Sequence, residues 1–203
     1  MDFIQLAKKR RSIRKYRPDP VAPEIISEII EAARWAPSSI NSQPWEFIII
    51  TDPQVREAVE NCASFAGFHW PHIKQAPVLI IICASKLTPF ARDDCIFAGA
   101  NIMHAATDHG LGTCWIGGFS EERLKTLLGV PKGYVLPGFC TLGYPANEPS
   151  PPPRRELDAM LHYETFDGHR DILKRWKGPF EVLKRLIQIQ FSREPRKNPP
   201  GDM

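Results

Sequence analysis

The apolar positions of the chain fall into blocks whose spacing alternates between that of a helix and that of a strand. Asp2 stands before Phe3, Leu6 and Ala7, which predicts a short helix over residues 3–9, capped by Asp2 and facing inward with those three residues. Residues 11–17 lose that period and run into Pro18, so they read as extended chain. A second helix begins near Pro23, carries Ile25, Ile26, Ile29, Ile30 and Ala33 at helical spacing, and stops before Pro37. Residues 45–51 read as a strand, 53–65 as a helix and 78–84 as a fully buried strand. Residues 90–109 form a long helix with apolar residues on several sides, which points to burial inside a larger assembly. A short strand at 113–116 follows, then a helix capped by Ser120 and stopped by Gly129, then a strand at 134–142. The Pro-rich run 148–153 is a stiff connector, and residues 170–191 read as a further helix before a polar end.

Composition narrows the picture. With 43% hydrophobic and 24% charged residues, the chain is an ordinary globular sequence, and wholesale disorder is excluded. The longest apolar run, 78–84, is far shorter than the roughly 20 residues of a spanning helix. The N-terminus has its charges after its apolar stretch, the reverse of a secretory signal. Neither a membrane segment nor export is expected, and a reducing, cytoplasmic setting is the expectation. Cys62, Cys83, Cys95, Cys114 and Cys140 include no C-x-x-C pair and read as small buried hydrophobes rather than metal ligands. The six histidines show no metal spacing. The net charge of +3 conceals an uneven distribution. Residues 8–17 hold seven positive side chains and no acid; residues 18–168 hold ten positive and eighteen negative; residues 169–203 hold nine positive and four negative. A folded nucleic-acid binder presents a continuous basic face with interleaved aromatics, whereas the body of this chain is acidic.

Three patches carry chemistry. The first, residues 10–14 (RRSIR), sits where a helix gives way to extended chain. Arg10, Arg11 and Arg14 supply forked, permanently charged donors and Ser12 a neutral one, a set suited to a phosphate monoester; a solvated basic face is the alternative. The second, residues 36–45 (APSSINSQPW), is a polar loop held between prolines. Its hydroxyls and amides suit the edge of a polyol or heterocycle, or mark only a connection. The third, residues 110–119 (GLGTCWIGGF), ends a strand in paired glycines that admit a flat ligand close to the backbone, or form a bulge and turn. It is neither a P-loop nor the dinucleotide fingerprint G-x-G-x-x-G.

In this order the patches resemble the flavin-dependent nitroreductase family, together with residues 142–145 (LGYP) and Arg154-Arg155; the likeness covers residues 2–164. The resemblance implies an α+β fold, a mixed, mainly antiparallel sheet flanked by helices, and a homodimer with FMN at the interface. It implies domain limits of 1–164 for the FMN-binding part and 165–203 for a helical extension and polar tail that wraps the partner subunit. It places Arg10, Arg11, Ser12 and Arg14 at the phosphate and ring edge, and Pro37, Ser38, Ser39 and Asn41 on the same flavin from the other subunit. Ile116, Gly117 and Gly118 lie along the ring, with backbone N–H groups of the glycines near N5, and Arg154 and Arg155 return to the phosphate. Gly117 departs from one branch of the family, where an acidic residue occurs.

The implied reaction is ping-pong electron transfer from NAD(P)H through FMN to an electron-poor acceptor such as a nitroaromatic or quinone. Alternatives on the same fold are reductive dehalogenation and flavin breakdown. No catalytic side chain is required, because the flavin carries the chemistry, and no metal is expected. Phe65, Phe68 and Trp70 form the candidate substrate lid.

Overall fold

A computed structural model describes residues 2–65 and 68–166, the side chains of residues 64, 65, 68 and 69 excepted. The predicted helix at 170–191, and with it the expected wrapping extension, lies outside the described residues. The chain divides into two compact units, Met1–Pro151 and Pro152–Met203, a division that falls inside the Pro-rich run 148–153.

The first unit is built on a four-stranded sheet. Its strands are β1 (Trp45–Ile50), β4 (Val78–Ser85), β5 (Gly112–Ile116) and β6 (Tyr134–Gly143), in the spatial order β1-β4-β6-β5. Two-residue strands β2 (Ser64–Phe65) and β3 (Phe68–His69) form a separate hairpin. All strand pairs are antiparallel, and the parallel element is a single bridge between Ser12 and Thr113 at the β5 edge. In the middle of the sheet, Leu79, Ile80, Ile81 and Ile82 are fully buried, as expected of a strand covered on both faces. β6 contains Pro137, which has no amide proton to donate. It stands where the β4 register shifts between Ile82 and Ala84 and beyond the last β5 pairing, Ile116–Phe139, so little ladder is lost.

Helices cover both faces. α2 (Pro23–Arg34) and α5 (Ala91–Asp108) pack together on one, where Ile29, Ala33, Cys95, Ala98 and Ile102 meet Ile80, Ile82 and Leu142. α3 (Pro53–Cys62), α4 (His72–Gln75) and α6 (Glu121–Leu128) cover the other, where Val59, Ile73 and Leu124 meet Leu79, Ile81 and Phe139. Ser120 caps α6 by accepting from the Arg123 amide and Gly129 ends it in the left-handed region at φ +67°, as the sequence predicts, and Asp52 caps α3 by accepting from the amides of Gln54 and Val55.

Two expectations are corrected. α1 (Phe3–Lys9) forms with its Asp2 cap, yet none of its residues is buried; Phe3 meets the His104 ring of α5 edge-on and stays 63% exposed. Among the described residues no second layer lies above this seven-residue helix at the rim, so its apolar face is covered on one side only. The helix predicted over 53–65 ends at Cys62, because Ser64 and Phe65 pair instead as β2 with β3. Within the second unit, the described residues contain one 3-10 turn, Leu157–Ala159, and stacked rings of His162 and Phe166.

Candidate functional site

Residues 10–17 leave α1 as extended chain and are stitched to the β5 end of the sheet. The Ile13 amide donates to the Thr113 carbonyl at 2.8 Å, and the Arg17 amide to that of Tyr144 at 2.9 Å. Ile13 is buried beside Gly112, where a β-carbon would overlap its side chain. Alternation along an extended chain then turns Ser12 and Arg14 away from Ile13. Tyr16 locks the segment by donating to the Ile13 carbonyl at 2.8 Å and pairing with the Thr141 hydroxyl at 2.6 Å. Burial raises its pKa, so it stays protonated.

This stitching brings Arg14 to a cleft of about 260 Å³ at the end of β5. The cleft is lined by Arg14, Trp70, His72, Cys114, Trp115, Ile116, Gly117 and Gly118. Three groups of sequence-predicted residues therefore converge: Arg14 from the basic patch, Ile116–Gly118 from the glycine strand end, and Trp70 from the candidate lid. Trp70 is half-buried and packs on the core cluster beneath it. Phe65 and Phe68 pair across the β2–β3 hairpin, their side chains outside the described residues.

The other predicted residues are placed as follows. Arg10 caps α1 through its amide and is half-buried. Arg11 commits its Nη1 to the carbonyls of Lys8 and Arg10 at 2.5 and 2.9 Å. Ser12 makes the bridge to Thr113. Pro37, Ser38, Ser39 and Asn41 belong to a loop placed against the start of α5, apart from the cleft lining; it contains a 3-10 turn at Ser39–Asn41. Arg154 and Arg155 lie in the second unit, where Arg155 Nη2 donates to the Ala159 carbonyl at 2.6 Å and Arg154 Nη1 to those of Pro152 and Pro153 at 3.4 Å.

His72 is a cleft residue that the sequence reading passed over. It is 5% exposed, its ring meets Trp70 edge-on, and its Nε2 has no hydrogen-bond partner. Burial first, and the nearby Arg14 charge second, lower its pKa to about 4, so the imidazole is neutral at physiological pH. Burial likewise raises the Cys114 thiol, which is no nucleophile at neutral pH. Among the described residues no group of His, Cys, Asp and Glu is arranged to hold a metal ion, and no helix is long and apolar enough to cross a membrane.

The donor set fits a flat, anionic heterocycle. Its lining combines a strand end with two glycines, the apolar side chains of Trp70 and Ile116, and one permanent cation, Arg14. The buried imidazole nitrogen of His72, without a hydrogen-bond partner, adds a polar point to the same lining.

The family model described as "Nitroreductase family" matches residues 7–144. The FMN reductase (NAD(P)H) of Bacillus subtilis is 33% identical over 222 residues, covering 97% of this chain and 87% of that protein. The iodotyrosine deiodinase of Thermotoga neapolitana is 27% identical over 186 residues, covering 81% of this chain and 98% of its own. Among solved structures, an FMN-dependent nitroreductase from Clostridium difficile superposes with a TM-score of 0.73 at 29% identity, covering 81% of this chain and all of that one.

Proposed function

The chain belongs to the nitroreductase family, and from that premise we propose that it is an FMN-dependent oxidoreductase moving electrons from NAD(P)H to an electron-poor acceptor such as a nitroaromatic or quinone. The observation that carries this reading is the convergence of Arg14 with Ile116, Gly117 and Gly118 in one cleft. FMN would supply a two-electron carrier that takes a hydride from the nicotinamide and hands it to the acceptor in the same, vacated site.

The chain's own part is binding, orientation and electrostatics. Gly117 and Gly118 leave the backbone bare, so a planar ring can lie against it and meet peptide N–H groups. The Arg14 guanidinium is a permanent cation at the cleft, placed to meet negative charge that would gather on reduction. Trp70 and Ile116 give the cleft an apolar lining beside that charge. Arg10 and Arg11 at the end of α1, and Ser12 at the β5 edge, are the proposed phosphate ligands. The polar loop with Pro37, Ser38, Ser39 and Asn41 is assigned to the flavin bound mainly by a second copy of the chain, in a homodimer.

The absorbance spectrum of purified protein, followed by anaerobic addition of NADH or NADPH, tests this reading. A flavin spectrum with bands in the near-ultraviolet and blue that bleach with one of the nicotinamides is expected. A colourless protein that takes up no added FMN would overturn it. The deiodinase relative favours a second reading, in which the acceptor is an aryl halide whose carbon–halogen bond is replaced by carbon–hydrogen with release of halide. Halide release from an iodinated phenol under anaerobic turnover, in preference to nitro-group reduction, would select it.

A further inference from the structure

We propose that Asp94 is a positioning residue that holds the loop of Ser38, Ser39, Ile40, Asn41, Ser42 and Gln43 in the one shape able to meet the flavin ring. The proposal rests on the reading above that this loop is a cofactor contact.

The loop is strained. Ile40, Asn41 and Gln43 have φ values of +51°, +56° and +44°, in the left-handed region that side chains with a β-carbon avoid. A β-branched residue such as Ile40 is the most costly of the three, and at 92% exposed it gains nothing from packing. Such conformations persist only where the surroundings over-determine them, and they concentrate at ligand sites.

The over-determining group is a buried carboxylate on α5, 55 residues away in sequence from Ser39. Asp94 is 3% exposed. Its Oδ1 accepts from the Ser39 amide at 3.2 Å and the Ser39 hydroxyl at 3.4 Å, and its Oδ2 from the Ser42 hydroxyl at 3.4 Å. The donors that solvate the buried carboxylate are thus the loop's own amide and hydroxyls, so the loop must keep this shape for Asp94 to stay satisfied. The charge also sits in the first turn of α5, where the helix dipole favours it. The Ser38 hydroxyl closes the loop from within, accepting from the Gln43 amide at 3.0 Å. Pro37 and Pro44 limit the two ends. The result is a polar surface held in one shape by bonds from within the chain.

Three variants test it: Asp94→Asn, Ile40→Gly and the double variant. Glycine adopts the left-handed region without steric cost, so it removes the strain that the carboxylate opposes. Two readouts are taken on full-length protein: FMN affinity by titration calorimetry, and hydrogen–deuterium exchange of residues 37–44 without FMN. Asp94→Asn is expected to weaken FMN binding by about tenfold and to speed exchange across the loop. Ile40→Gly in the same chain is expected to restore most of both. A wild type that takes up FMN while Asp94→Asn matches it in both readouts overturns the proposal alone. Losses that Ile40→Gly leaves untouched overturn it too, and assign Asp94 to the helix end instead. A wild type that takes up no FMN overturns the cofactor reading, and the positioning role with it.

Discussion

His72 carries a cost that its position explains. A buried imidazole nitrogen without a partner loses its hydration and gains nothing in return, at about 1–3 kcal/mol. Its pKa falls from the ordinary 6.5 to about 4, through burial first and the Arg14 charge second. Between those two values the unfolded chain binds a proton that the folded chain refuses. Stability is therefore unaffected above pH 6.5 and falls as pH drops toward 4, by about 3 kcal/mol for the full shift. His72→Phe removes both the titration and the orphaned nitrogen. Thermal midpoints measured at pH 7 and pH 4.5 should separate less in this variant than in the wild type. Equal separations would show that the acid sensitivity originates elsewhere. At this scale the sequence is least legible. His72 is one of six histidines with no ligand spacing, and only the fold brings it beside Arg14, 58 positions earlier in the chain. Asp94 is hidden for the same reason, because an acid in the first turn of a helix is unremarkable until its partners are known.

Elements with strong periodicity or punctuation were readable: β4 from its unbroken apolar run, α2 from isoleucines at helical spacing, α6 from Ser120 and Gly129. What local pattern does not encode is tertiary coverage, and α1 shows this: its spacing is right, but no layer among the described residues closes over it. The β2–β3 hairpin escaped because two-residue strands are too short to show alternation. The pairing of residues 12–16 with β5 and its neighbour was legible only as extended chain before Pro18. Its register depends on the close approach of Ile13 to Gly112. Gly112→Ala forces the two apart, since the new β-carbon overlaps the Ile13 side chain. The expected result is about 1–3 kcal/mol of destabilisation and weaker FMN uptake, because Ser12 and Arg14 move with Ile13. Gly133→Ala, with nothing within 4 Å of its new carbon, should change neither thermal midpoint nor uptake. If Gly112→Ala melted lower but bound FMN as before, the strand edge would be structural and Arg14 would not depend on it.

For the whole molecule, the informative feature is an uncovered face. α2 and α5 bury their inner sides on the sheet, yet Trp35, directly after α2, is 74% exposed, and Phe90, Ile96 and Phe97, beside and on α5, are 55%, 43% and 51% exposed. The apolar residues on several sides of α5, which point to burial in a larger assembly, are thus only half accounted for by the described residues of one copy. Large apolar side chains held outward on paired helices are the usual mark of an interface. In the proposed homodimer these helices meet their counterparts, and the same contact delivers the Ser38–Gln43 loop to the partner's flavin. Assembly and cofactor binding should then fail together. Phe97→Asp puts a carboxylate into the proposed contact, where its desolvation opposes association by several kcal/mol. Sedimentation velocity should show the variant as a monomer of half the wild-type mass, with FMN content reduced in parallel. Leu127→Asp makes the matching change on α6, at a residue 42% exposed on the opposite side of the sheet, and should leave both mass and flavin unaltered. A wild type that sediments as a monomer of 23.0 kDa with full FMN content would refute the shared site. A Phe97→Asp dimer would instead move the interface to another face.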